Sequence, residues 1–128
     1  MNNEVKQQAA RAFLSVLGKP DAAVLERVVA PGVIWSFPGS SPISGEAHGV
    51  EGILKRAKVI AAYAVKVEIL HATFSHAGGV SMILHNTGVR SGKVLDEHLC
   101  AVFAFEGDRV SRLDTYLSDV PMAEAFFG

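Results

Sequence analysis

The sequence predicts an α+β fold: a cone-shaped, curved antiparallel or mixed sheet with three N-terminal helices packed on its concave face. Three observations predict it. Apolar residues recur at three- and four-residue spacing in the early part of the chain, polar and apolar residues alternate through most of the second half, and clusters of Gly, Pro and Ser separate the segments. Helices that precede a run of strands, rather than alternating with them, segregate to one side of the sheet. A curved sheet roofed by helices encloses a cone, and its wide end becomes a pocket wherever side chains do not fill it.

Asn2 or Asn3 can cap a first helix running to about Leu17, with Val5, Ala9, Ala12, Phe13, Val16 and Leu17 on one stripe. Gly18 stops it. Asp21 can cap a short second helix bearing Val24, Leu25, Val28 and Val29, which Ala30-Pro31-Gly32 ends. Val33, Trp35 and Phe37 then alternate with Ile34 and Ser36 in a short strand that stops at Pro38-Gly39. A loop rich in Gly, Pro and Ser leads to a third helix with Ile53, Leu54, Ala57, Ile60 and Ala61 on one face and Tyr63 at its end. The stretches VKVEIL, VSMILHNTGV, DEHLCAVFAF and DRVSRLDTYLSDV read as strands of long antiparallel hairpins. A closing helix is expected at PMAEAFF, with Ser118 or Asp119 as cap and Pro121 in its first turn.

Composition narrows the function. At 128 residues the chain, 1–128, reads as one domain, and no repeat or linker-like stretch divides it. Twelve basic against thirteen acidic residues form no basic stripe, so nucleic acid is not an expected partner. The single Cys100 makes no internal disulfide, and the five histidines have neither HxH nor HxxxH spacing, so no metal site is expected. No signal-peptide core or membrane-length apolar run occurs, which points to a cytoplasmic protein that does not bind membranes. A mean hydropathy of +0.27 allows a generous interior or an apolar surface used for self-association.

The order of WSFPG and SGEAHGVEGI after two helices, with FEGDRVSRLDTYLSD near the end, resembles the nuclear transport factor 2-like superfamily, in its SnoaL-like and ketosteroid isomerase-like branches. The resemblance covers nearly the whole chain and implies a cystatin-like α+β barrel, often dimeric through the outer sheet face, with a ligand cavity between helices and sheet. It fixes fold rather than chemistry, because that superfamily includes isomerases, cyclases, hydrolases and non-catalytic proteins. At the three places where the isomerases carry a tyrosine and two aspartates, this chain has Phe13, Phe37 and Ala101, none of which can exchange the required protons. The steroid isomerase mechanism is therefore not expected.

The same alignment turns five sets of residues inward: Val33, Trp35 and Phe37; Val65, Val67 and Ile69; Met82, Leu84 and Asn86; Leu99, Ala101 and Phe103; and Arg112, Asp114 and Tyr116. Asp114 is then the leading candidate for a general base, because an aspartate between apolar walls is disfavoured in its charged form. Arg112 on the same face would oppose that shift and orient an oxygen, and Tyr116 would polarise it. Against this stands an equally weighted reading in which Arg112 and Asp114 form a half-exposed pair and Leu113 and Leu117 belong to the core. Asn86 would fix a substrate carbonyl or bond the backbone. Glu97 shares the phase of Leu99 and is a second inward acid, unless a one-residue bulge puts His98 in its place. Trp35, Phe37, Phe13, Tyr63, Met82 and Leu99 are expected to line the ligand space. The expectation is a cofactor-independent acid–base enzyme for a small cyclic oxygenated molecule, with a non-catalytic binding or dimeric association module as the alternative.

Overall fold

The computed structural model describes residues 2–128. Helix α1 (Asn3–Ser15) starts where the Asn2 side chain accepts from the Glu4 amide at 2.8 Å. Helix α2 (Ala22–Val28) is capped by Asp21. Strands β1 (Val29–Phe37) and β2 (Gly45–His48) form a hairpin, after which helix α3 (Gly49–Ala62) crosses to β3 (Lys66–Phe74), β4 (Val80–Arg90), β5 (Lys93–Glu106) and β6 (Arg109–Leu117). Helix α4 (Val120–Phe127), capped by Asp119, closes the chain. The six strands form one mixed, curved and unclosed sheet in the order β2-β1-β6-β5-β4-β3, with only β1 and β6 parallel.

Two segments differ from the expectation. Ala30-Pro31-Gly32 lies inside β1, at the register shift between Val29 and Ile34, where the broken ladder needs no amide from Pro31. The Gly- and Ser-rich segment contains β2, which pairs Phe37 with Gly45 and Ile34 with His48. The hydrophobic core runs without a break from Phe13 and Leu25 through Trp35, Ile53, Leu84 and Phe103 to Phe126. On α1 the buried stripe is displaced: Val5 is exposed, whereas Lys6 is buried, donating to the Gly78 carbonyl at 2.7 Å with its ammonium over the Phe105 ring.

The facing of β6 is the main correction. Residues directly opposite in an antiparallel pair share a sheet face. Because Leu99, Ala101 and Phe103 face the helices, their partners Leu117, Thr115 and Leu113 must do so as well. Arg112, Asp114 and Tyr116 stand opposite Ala104, Val102 and Cys100 and therefore lie on the outer face. Leu113 is 1% exposed and Tyr116 is 62% exposed, the reverse of the expected phase. The other four inward sets face as expected.

Candidate functional site

Between the helices and the concave face lies a small cavity of about 30 Å³, room for roughly two water molecules. Trp35 and Phe37 of β1, Leu84 and Asn86 of β4, Glu97 and Leu99 of β5, and Leu113, Thr115 and Leu117 of β6 supply its walls. Ala123 and Phe127 of α4 supply its roof. Of the residues expected to line a ligand space, Trp35, Phe37 and Leu99 do. Phe13 and Met82 are fully buried behind the lining. Tyr63 lies outside the cavity, stacked on Phe127 at 5.9 Å, with the Arg90 guanidinium 3.8 Å from its own ring centre.

Glu97 is the acid of this cavity. It is 2% exposed, and its inward phase follows from the uninterrupted β4–β5 register, which pairs it with Asn86 and leaves His98 outside opposite His85. One carboxylate oxygen, Oε2, accepts from the Ser118 hydroxyl and from the Asp119 amide at 2.9 Å. The other, Oε1, has no partner among the described residues, and neither has the buried Oδ1 of Asn86 across the strand pair. Two unpartnered acceptors thus face an apolar space, an arrangement that favours any molecule bringing a hydrogen-bond donor. A third polar group is Thr115, whose Oγ1 accepts from Trp35 Nε1 at 2.9 Å.

The residues expected to carry the chemistry of β6 form a different assembly, on the outer face. Arg112 Nε donates to both Asp114 oxygens at 3.0 and 2.9 Å, the Ser36 hydroxyl donates to Asp114 as well, and Arg112 also approaches Glu46 at 3.7 Å. The hydrogen bond from Arg112, aided by that from Ser36, holds the Asp114 carboxyl below its ordinary value despite partial desolvation. Asp114 is not a base poised near neutrality. It borders an open groove with Ser36, Glu46 and Tyr116. Farther along the same face, the rings of His85 and His98 stack in parallel at 4.3 Å, and His85 meets Asp96 at 2.6 Å.

Sequence reasoning missed Thr115 and Arg56. Arg56 is buried and donates to the carbonyls of Trp35 and Gly45 at 2.7 and 2.9 Å, with its guanidinium over the Trp35 ring. Burial lowers its pKa to about 10, so it stays charged at neutral pH while tying α3 to the β1–β2 hairpin. Nothing in the spacing of α3 marks it. Thr115 had a signal: Leu113, Thr115 and Leu117 are the more apolar phase of β6, and pairing with β5 demands that phase inside. Among the described residues no group of three or more His, Cys, Asp or Glu side chains is arranged to hold a metal. No helix among them is long and apolar enough to cross a membrane.

No family model matches the sequence. An uncharacterised protein of Mycobacterium tuberculosis strain H37Rv is 25% identical over 130 residues, covering 99% of each chain. The solved structure of Bal32a, from a soil-derived mobile gene cassette, is 27% identical with a TM-score of 0.88 over 98% of each chain. An NTF2-like protein of Burkholderia xenovorans LB400 superposes with a TM-score of 0.80 over 98% of each chain at 19% identity. The epoxide hydrolase/cyclase-like enzyme SalBIII, described in pyran ring formation in the polyether salinomycin, superposes with a TM-score of 0.73 at 13% identity, covering 91% of this chain and 93% of that one. The order of elements, the curved mixed sheet and these superpositions agree, and the chain has the fold of these NTF2-like proteins.

Proposed function

We propose that the chain is a cofactor-independent acid–base enzyme of isomerase, cyclase or hydrolase type, acting on a small, largely apolar oxygenated ring compound held against Glu97. One observation carries the reading: Glu97 is enclosed by apolar walls, with one oxygen fixed by Ser118 and Asp119 and the other unpartnered beside Asn86 Oδ1. A carboxylate held in that way has a defined orientation and one free oxygen with which to take a proton from a bound molecule and return it elsewhere. SalBIII, which shares the fold, is described as a cyclase-like enzyme, and that supports the class of reaction. Asp114, Arg112 and Tyr116 have no part in it, because the sheet stands between them and the cavity.

The test is proton exchange in D2O, followed by NMR on a panel of cyclic ketones and lactones with wild type and Glu97→Gln. Glutamine keeps an acceptor for Ser118 and Asp119 but cannot take a proton. Wild type should accelerate exchange at one position of at least one compound, and the variant should lose about a hundredfold or more of that rate. Equal rates in the two proteins would overturn the assignment of Glu97. A wild type no faster than free acetate on every compound would favour the second reading, a non-catalytic module. That reading draws on the apolar outer face around Ile83, Cys100, Val102 and Tyr116, which suits association with a second copy.

A further inference from the structure

We infer that Thr115 is the specificity-determining hydrogen-bond donor of the cavity, and that it selects elongated ring compounds with an acceptor oxygen at one end and a hydroxyl at the other. This inference rests on the proposed use of the cavity and identifies the class of molecule it takes.

The indole N–H of Trp35 can only donate, so its 2.9 Å hydrogen bond fixes Thr115 Oγ1 as the acceptor there. The threonine hydroxyl retains its own proton, and no hydrogen bond takes that proton to another described residue. Thr115 lines the cavity, so the donor is available to a ligand. At the other end, Asn86 Oδ1 is an acceptor, and so is Oε1 of the Glu97 carboxylate. The cavity therefore presents a donor at one end and acceptors at the other, with an apolar wall between.

Register sets the separation. Thr115 stands opposite Ala101, and Ala101 lies four residues along β5 from Glu97. Four residues of strand rise about 14 Å. Side chains that lean inward and a hydrogen bond of about 2.8 Å at each end leave the length of a para-disubstituted six-membered ring. A carbonyl facing Thr115 and a hydroxyl facing Glu97 would satisfy the threonine donor and, through the one hydroxyl proton, one of the two acceptors. A hydroxyl at the Thr115 end would satisfy that group too, but a carbonyl at the Glu97 end would meet acceptors alone.

Four probes of nearly one shape separate these effects: 4-ethyltoluene, 4-ethylphenol, 4-methylacetophenone and 4-hydroxyacetophenone. Their affinities are measured by NMR titration for wild type, Thr115→Val and Thr115→Ser, after thermal melts confirm that each variant is folded. In wild type, replacing ethyl by acetyl should tighten binding about five- to tenfold, and 4-hydroxyacetophenone should bind best of the four. Thr115→Val should abolish the advantage of acetyl over ethyl while leaving 4-ethyltoluene affinity within about twofold; Thr115→Ser should restore the advantage. The ratio of acetyl to ethyl affinity within one protein is the decisive readout, since a general loosening of the fold weakens all four probes together. Binding of 4-ethyltoluene without any acetyl advantage, or an advantage that survives Thr115→Val, would overturn the role of Thr115 and leave the cavity as a binding site. Failure of all four to bind wild type would overturn the cavity reading itself, and the Thr115 inference with it.

Discussion

Asn86 shows what the interior concedes to a ligand. Its amide oxygen is buried without a protein partner, and such an orphan costs about 1–3 kcal/mol. Leucine has similar size and no polar atom, so Asn86→Leu should raise stability by about 1–2 kcal/mol, read as a melting temperature higher by roughly 3–8 °C. The same change should weaken binding of 4-ethylphenol. A melting temperature that stays put or falls would mean that the oxygen is not an uncompensated acceptor. Asp114 makes the opposite kind of prediction. Its carboxyl is held below the unfolded value of about 3.9 chiefly by the hydrogen bond from Arg112. A depressed carboxyl contributes stability that is fully present above the unfolded pKa and is lost as pH falls through the folded one. Urea midpoints measured downward from about pH 5 should fall less steeply for Asp114→Asn than for wild type, and parallel acid limbs would remove the pair from the stability of the fold. Glu97 was legible in the sequence because strand alternation continued unbroken from Leu99. Asp114 was misplaced because three polar residues in phase look alike whether they line a hollow or a wet face.

The position of β6 is decided by its neighbour rather than by its own residues. Taken alone, its two phases differ by little more than two leucines; paired with β5, only the phase of Leu113, Thr115 and Leu117 puts apolar groups against Leu99, Ala101 and Phe103. Helix α4 is likewise understood through what it touches. The Phe126 ring occupies the space above Gly88, where an added Cβ would come within 3.0 Å of the ring. At the start of the helix, Ser118 and the Asp119 amide both bond to Glu97, and Ser40 bonds to Glu124 through its amide at 3.0 Å and its hydroxyl. Roughly two waters' worth of space cannot admit a ring compound unless this roof lifts. Glu97→Ala should therefore free the N-terminal turn of α4, speeding hydrogen exchange at the Met122 to Phe127 amides about tenfold or more while β4 and β5 amides stay protected. Glu97→Gln should leave those rates near wild type. Uniform acceleration across the sheet in Glu97→Ala would mean that the carboxylate supports the whole core rather than the helix above it.

Much of the architecture was legible because it is local. Apolar spacing marked α1, α2 and α3, capping residues and Pro121 marked α4, and alternation marked β1 and β3 to β6. What escaped depends on partners distant in sequence: the parallel pairing of β1 with β6, the four-residue β2 that exists only against β1, and the buried Arg56 that joins α3 to their hairpin. The outer face follows the same logic one level higher, since its row of Ile83, Cys100, Val102 and Tyr116 has no cover among the described residues. A shallow hollow beside Tyr116 and the half-exposed Val102 give that row an apolar centre, and the Arg112–Asp114 pair with Glu46 gives it a polar flank. An apolar centre with a polar rim is the layout of an interface, and two copies meeting through this face would each contribute roughly 800 Å² in a stable dimer. Sedimentation velocity at micromolar concentration should then show a dimer, which Val102→Asp should convert to a monomer by placing a carboxylate at the centre of the contact. The interior cavity would be untouched, so the variant should retain 4-hydroxyacetophenone affinity within about twofold. A wild type that sediments as a monomer would leave this face to solvent, and a variant that loses both dimer and ligand would make the cavity depend on the second copy.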